Sequence, residues 1–168
     1  MSAGVPPLPE RPPLPDLDAV GDDGVAFTYG RRWDDGPADD AYSHVSHPER
    51  FAGLHDVGRA LVAHVVDTYE VEATPVDRLG PPDGDGQRLV EGWRLSPGPR
   101  RGSLTIGLSD FPGVLTATGS AVAEGFPACG CDACDESAEA TAERLEDAVA
   151  RAVRGWPRRS VGEAGRAS

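Results

Sequence analysis

Three stretches of alternating apolar and polar residues follow one another through the middle of the chain, with only turn residues between them. GSLTIGLS (102–109) sets Leu104, Ile106 and Leu108 to one side and Ser103, Thr105 and Ser109 to the other. Period-two alternation is the signature of a strand with one buried face. RLVEGWRLS (88–96) directs Leu89, Trp93 and Leu95 to one face, and GVLTATG (113–119) supplies a further strand. The connections SPGPRRG and SDFPG are turn chemistry and too short for a crossover, so neighbouring strands must run antiparallel. EATPVDRL (72–79) adds a fourth strand, held to an edge because Pro75 lacks an N–H to donate. GPPDGDG makes the turn that follows it.

Helical periodicity flanks this meander. Down PERFAGLHDVGRALVAHVVDTYEV, residues Phe51, Leu54, Leu61, Val62, Val65, Val66 and Tyr69 fall on one stripe, while Asp56, Arg59, Asp67 and Glu70 lie away from it. Ser46 with Glu49 three residues later reads as a capping box, with Pro48 tolerated in the first turn. A second helix is expected from about Asp135 to Gly155. Its stripe is Ala138, Ala142, Leu145, Val149, Ala152 and Trp156, and Gly155 and Pro157 stop it. The expectation is a single α+β domain: helix, four-stranded antiparallel meander, helix, with both helices on one face of the sheet.

Residues 41–156 would form that domain. Residues 1–40 read as a proline-rich, acidic, poorly ordered segment, and 157–168 as a frayed polar tail. Nine acids and three arginines up to Asp40 give the first segment half of the net charge of −12. Its P-x-x-P spacings match an SH3-type ligand as well as a solvated tail. VAFTYGRRW (25–33) stands apart, because its aromatics can pin the segment onto the domain.

Charge and composition exclude several classes. With a pI of about 4.6 the chain repels phosphate backbones and anionic membranes, so neither nucleic acid nor membrane is an expected partner. All 16 basic residues are arginine. A Walker-type phosphate loop and Schiff-base chemistry both need a lysine, so no nucleotide cofactor of that kind is expected. ALVAHVV (60–66), the most apolar run, is too short to span a bilayer, and the N-terminus carries no secretory pattern. A cytoplasmic location follows as the expectation, and with it reduced cysteines. DGDGQRLV (83–90) begins like a calcium loop but has Arg88 where Gly is required. GLSDFPG (107–113) is no nucleophile elbow, because Phe111 occupies its last position. Nothing marks a catalytic triad, and the reading leans away from an enzyme.

AYSHVSHPERFAGLH (41–55) and FPACGCDACDESAE (126–139), in this order and at this separation, resemble an uncharacterised family of small proteins from GC-rich Gram-positive bacteria. The likeness spans residues 40 to 155 and rests on PERF…LH and FPxCGCDACDE. It implies no activity, substrate or catalytic residue.

Chemistry concentrates at Cys129, Cys131 and Cys134, a C-x-C-x2-C group that holds every cysteine of the chain. Zinc is the first reading: the C-x2-C pair lets two thiolates meet one ion, and Cys129 supplies a third. A helix N-terminus following the thiols would help hold them ionised. His55 is the preferred fourth ligand from its register beside the apolar stripe, although a histidine there also serves packing alone. Asp132, Asp135 and Glu136 would add three charges to three thiolates, which raises the thiol pKa values unless a cation is present. The alternatives are packing thiols beside an acid-capped helix, with Asp132 or Asp135 as the cap, and thiol redox or metal-transfer chemistry. The corresponding functions are a non-catalytic binding or adaptor module with a structural zinc-type site and an unidentified protein partner, an acidic partner-binding protein of the immunity type, and a redox or metal-transfer protein.

Overall fold

The computed structural model describes residues 6–15, 19–80 and 86–160. The expected turn at 81–85, with the start of the calcium-like stretch, and the tail beyond residue 160 lie outside the described residues. Two helices pack on an antiparallel sheet, as the patterning predicts, but the sheet has six strands in place of four. Its path is β3 (Glu72–Pro75), β5 (Gln87–Ser96), β6 (Leu104–Ser109), β7 (Gly113–Thr118) and β8 (Glu124–Phe126), with β4 (Arg78–Leu79) also paired to β5. A separate two-stranded ribbon joins β1 (Ala19–Val20) to β2 (Ala26–Phe27).

The two additional sheet strands have separate origins. EATPVDRL forms two strands because the ladder breaks at Val76 and Asp77, opposite a bulge between Leu89 and Glu91. The Val76 N–H still reaches the Gly92 carbonyl at 3.0 Å, and the Leu89 N–H reaches the Asp77 carbonyl at 2.8 Å. β8 is short, carries a glycine and does not alternate, so periodicity does not reveal it; register with Val114, Leu115 and Thr116 does.

The bulge also corrects the facing of β5. An extra residue reverses which side the chain presents. Trp93 and Leu95 stand opposite Ile106 and Leu104 on the helix-bearing face. Leu89 is carried to the other face, where it lies over Gly92 and Gly107; a Cβ on Gly107 would meet Leu89 Cδ2 at 2.6 Å. The face turned from the helices is thus partly covered by the chain itself.

The helix-bearing face forms the core with α1 (Leu54–Thr68) and α2 (Ala138–Ala152). Leu54, Val57, Leu61 and Val65 of α1 and Ala142, Leu145 and Val149 of α2 are almost wholly buried beside Leu95, Leu104, Ile106, Leu108 and Val114. Each such leucine or valine stabilises the fold by about 1.5–3 kcal/mol through burial. Gly58 allows the closest approach of α1 to the sheet, since a Cβ there would lie 3.0 Å from Leu108 Cδ2 and 3.4 Å from Val114 Cγ2. Tyr69 closes the bottom edge-to-face on Trp156, ring centroids 6.2 Å apart.

The first helix does not open at Ser46. A 3-10 turn covers Pro48–Phe51, with His47 before it in the left-handed region, and α1 proper starts at Leu54. Residues 6–15 lie along the body: Leu8 and Leu14 pack against the core, and Arg11 grips Glu146 of α2 through Nε–Oε1 at 2.8 Å and Nη2–Oε2 at 2.7 Å.

Candidate metal centre

Between β8 and α2 the chain makes a loop, residues 127–137, which carries the thiols. The three Sγ atoms lie within 4.8 Å of one another, with Cys129–Cys131 at 3.2 Å and Cys131–Cys134 at 3.4 Å. Cys131 is buried in the middle, and the outer two are exposed. Among the described residues, no other histidine, cysteine or carboxylate joins this group. His55 is therefore not brought to the thiols. Its Nε2 sits 3.1 Å from the Ser109 carbonyl at the end of β6.

Asp132 holds the loop in place. It is 4% exposed, and its carboxylate accepts from the Ser46 N–H and the Ser46 hydroxyl, each at 2.7 Å. Arg32 Nη1 stands 3.6 Å from the same carboxylate. The backbone of Asp132 is used as well: its N–H donates to the His44 carbonyl at 2.8 Å, and its carbonyl accepts from Trp33 Nε1 at 3.0 Å. Burial alone would raise the Asp132 pKa, but the Ser46 hydroxyl and N–H, with Arg32 and Arg50, outweigh it and lower the pKa. Ser46 is thus an anchor for Asp132 and not a helix cap.

The neighbouring acids are also engaged. Asp135 adopts φ +50° and accepts the Arg32 N–H at 2.8 Å. Glu136 accepts the Cys129 N–H at 3.2 Å and pairs with Arg144. Neither Asp132 nor Asp135 caps α2; Ser137 does, accepting the Ala140 N–H at 3.2 Å. The helix therefore begins at Ala138 and not at Asp135. On the opposite side, Gly130 presses on the Phe111 ring so closely that a Cβ would sit 2.7 Å from it.

Arg50, from PERF, organises the adjoining wall. Only 3% exposed, it donates to the carbonyls of Ser46 at 2.7 Å, His47 at 3.0 Å and Glu136 at 3.1 Å. Its guanidinium lies between the rings of Tyr29 and Phe51, 3.8 and 4.1 Å from their centroids. Arg32 stacks on Phe27 and Trp33 in the same way. The aromatics of VAFTYGRRW thus meet the loop and its supports. Phe27 and Trp33 also wall a cleft of about 830 Å³ whose lining includes Arg31, His44, Ser46 and Asp132.

The thiols do not titrate alike. The Cys131 pKa is lowered, first by the Cys129 thiol and then by the Cys134 N–H, both of which favour its thiolate. Cys134 is pushed up to about 12, chiefly by its hydrogen bond with Cys131. Cys131 and Cys134 thus move in opposite directions, in place of a uniform rise. A metal would need to displace the remaining protons, as thiolate coordination always requires.

Sequence reasoning finds the thiols and PERF, and assigns other roles to Ser46 and Asp132. Arg32, Arg50 and Trp33 become visible as site supports only through contacts distant in sequence. Among the described residues, no helix is long and apolar enough to cross a membrane. The model of the Family of unknown function (DUF6226) matches residues 15–168, and the chain belongs to that family. No curated protein and no solved structure matches.

Proposed function

We propose that this member of a family without an assigned role is a non-catalytic binding module whose Cys129–Cys131–Cys134 loop holds one zinc-type ion. The convergence of three Sγ atoms within 4.8 Å carries this reading. Three thiolates with no hard donor select zinc or a softer ion over magnesium or calcium. The ion would act as a keystone. It fixes the loop, the loop presents Asp132, and Asp132 fastens Ser46, His44 and Trp33 from the N-terminal side of the fold. The chain's partner in this reading is a cytoplasmic protein, and neither nucleic acid nor membrane.

Native mass spectrometry with elemental analysis of the full chain tests this directly. One ion per chain is expected, lost on chelation together with thermal stability. At free metal a thousandfold above Kd the ion contributes about 4 kcal/mol. For a domain of this size that corresponds to a Tm shift of roughly 8–16 °C. A chain that carries no metal and melts identically in strong chelator refutes the reading.

The lowered pKa of Cys131 and its 3.4 Å approach to Cys134 favour a second reading, thiol–disulfide exchange. That reading requires rapid alkylation of Cys131 near neutral pH in metal-free protein. A metal-loaded chain with all thiols protected excludes it.

A further inference from the structure

We propose that the metal centre is completed from outside the chain, by the neutral imidazole of a histidine on a protein partner. The inference rests on the metal reading above and assigns the ligand class of that same site.

Zinc takes four ligands, and among the described residues this site gathers three. The described histidines are all engaged elsewhere. His55 faces the Ser109 carbonyl, and His44 lies 2.7 Å from the Asp40 carbonyl. His47 pairs with Glu49, and His64 contacts Thr68. Of the carboxylates closest in sequence, Asp132 is held by Ser46 and Glu136 by the Cys129 N–H and Arg144, while Asp135 accepts the Arg32 N–H through Oδ2, keeps a buried Oδ1 without a hydrogen-bond partner, and does not join the three Sγ atoms. The outer thiols Cys129 and Cys134 are exposed, so the remaining coordination position opens to solvent.

Charge selects the occupant. Three thiolates on a dication leave a net negative centre, with Asp132, Asp135 and Glu136 in the same loop and a chain charge of −12. A fourth thiolate or a carboxylate would add to this repulsion, whereas imidazole coordinates without charge. Phe111, 39% exposed and packed under Gly130, offers an apolar shoulder for an incoming ring.

The test uses the full chain loaded with Co2+, whose absorption bands report the donor set, titrated with imidazole, acetate or 2-mercaptoethanol. Saturable one-to-one spectral change with imidazole, about tenfold tighter than with acetate, is expected from ligand charge and softness. His55→Ala should leave both the starting spectrum and the imidazole response unchanged. A spectrum indifferent to imidazole shows a site already closed and overturns the proposal. Preferential binding of the thiol, or a spectrum altered by His55→Ala, overturns it too. Failure to take up Co2+ or Zn2+ at all is seen before imidazole is added, and removes the metal reading along with the inference.

Discussion

Replacing Asp132 by alanine would strand the Ser46 N–H and hydroxyl and leave Arg32 without its carboxylate. Loss of one member of a buried, charge-assisted set costs about 1–3 kcal/mol, while a single neutral hydrogen bond is nearer 1. Asp132→Ala should therefore destabilise the metal-loaded chain more than Ser46→Ala. The double variant should cost less than the sum, read from denaturant unfolding. Equal and additive losses would mean that the two residues act separately. The thiol cluster is legible in sequence because its spacing confines it to one loop. Ser46 is not, because S-x-x-E is a local pattern, whereas its actual acceptor lies 86 residues away. Separation in sequence likewise hides Arg50 and Trp33, which reach the loop before α2 from 86 and 99 residues away.

At the scale of elements, the seat of Leu89 on the glycines of β5 and β6 is open to a compensation test. Gly107→Ala brings a Cβ to 2.6 Å from Leu89 Cδ2 and should cost about 1–3 kcal/mol by overpacking. Leu89→Ala introduced with it should recover part of that loss, despite being destabilising alone. No recovery would show that the bulge does not hold Leu89 there. Gly113→Ala has no such escape, because its Cβ would meet the Phe126 carbonyl oxygen at 2.8 Å, and backbone cannot swing aside. The α1 helix adds a pH effect. Burial lowers the His64 pKa, only partly countered by Asp67. Its folded pKa thus lies below the unfolded value near 6.5, and its contribution fades as pH falls through and below that value. His64→Gln should flatten that part of a Tm–pH curve. Strand alternation and the two helical stripes are legible in sequence, and the core forms from them. The bulge is not, because one inserted residue leaves the apolar residues of β5 at even spacing while turning Leu89 over.

For the whole molecule, the order of the chain matters more than its charge. Residues from the first fifth of the sequence meet α2, the 3-10 turn before α1 and the thiol loop, so the body is closed by segments that composition alone would leave in solvent. Arg11 and Glu146 form a two-point ion pair, and Leu8 and Leu14 cover the core beside it. Arg11→Ala should lower stability by about 0.5–1 kcal/mol, since the pair is partly exposed and screened. Removing residues 1–15 should cost more, because apolar cover is lost as well. A truncated chain that melts like the full one would place the segment outside the cooperative unit.

The indole of Trp33 donates to the carbonyl of Asp132, the residue that follows the second thiol. That contact makes the chain its own fluorophore-tagged sensor. An event that loosens the loop frees the indole into water, and its emission moves to longer wavelength and loses anisotropy. A Trp33→Phe variant supplies the blank against the signals of Trp93 and Trp156, and stopped-flow mixing with a chelator would then time the loop's release without any added label.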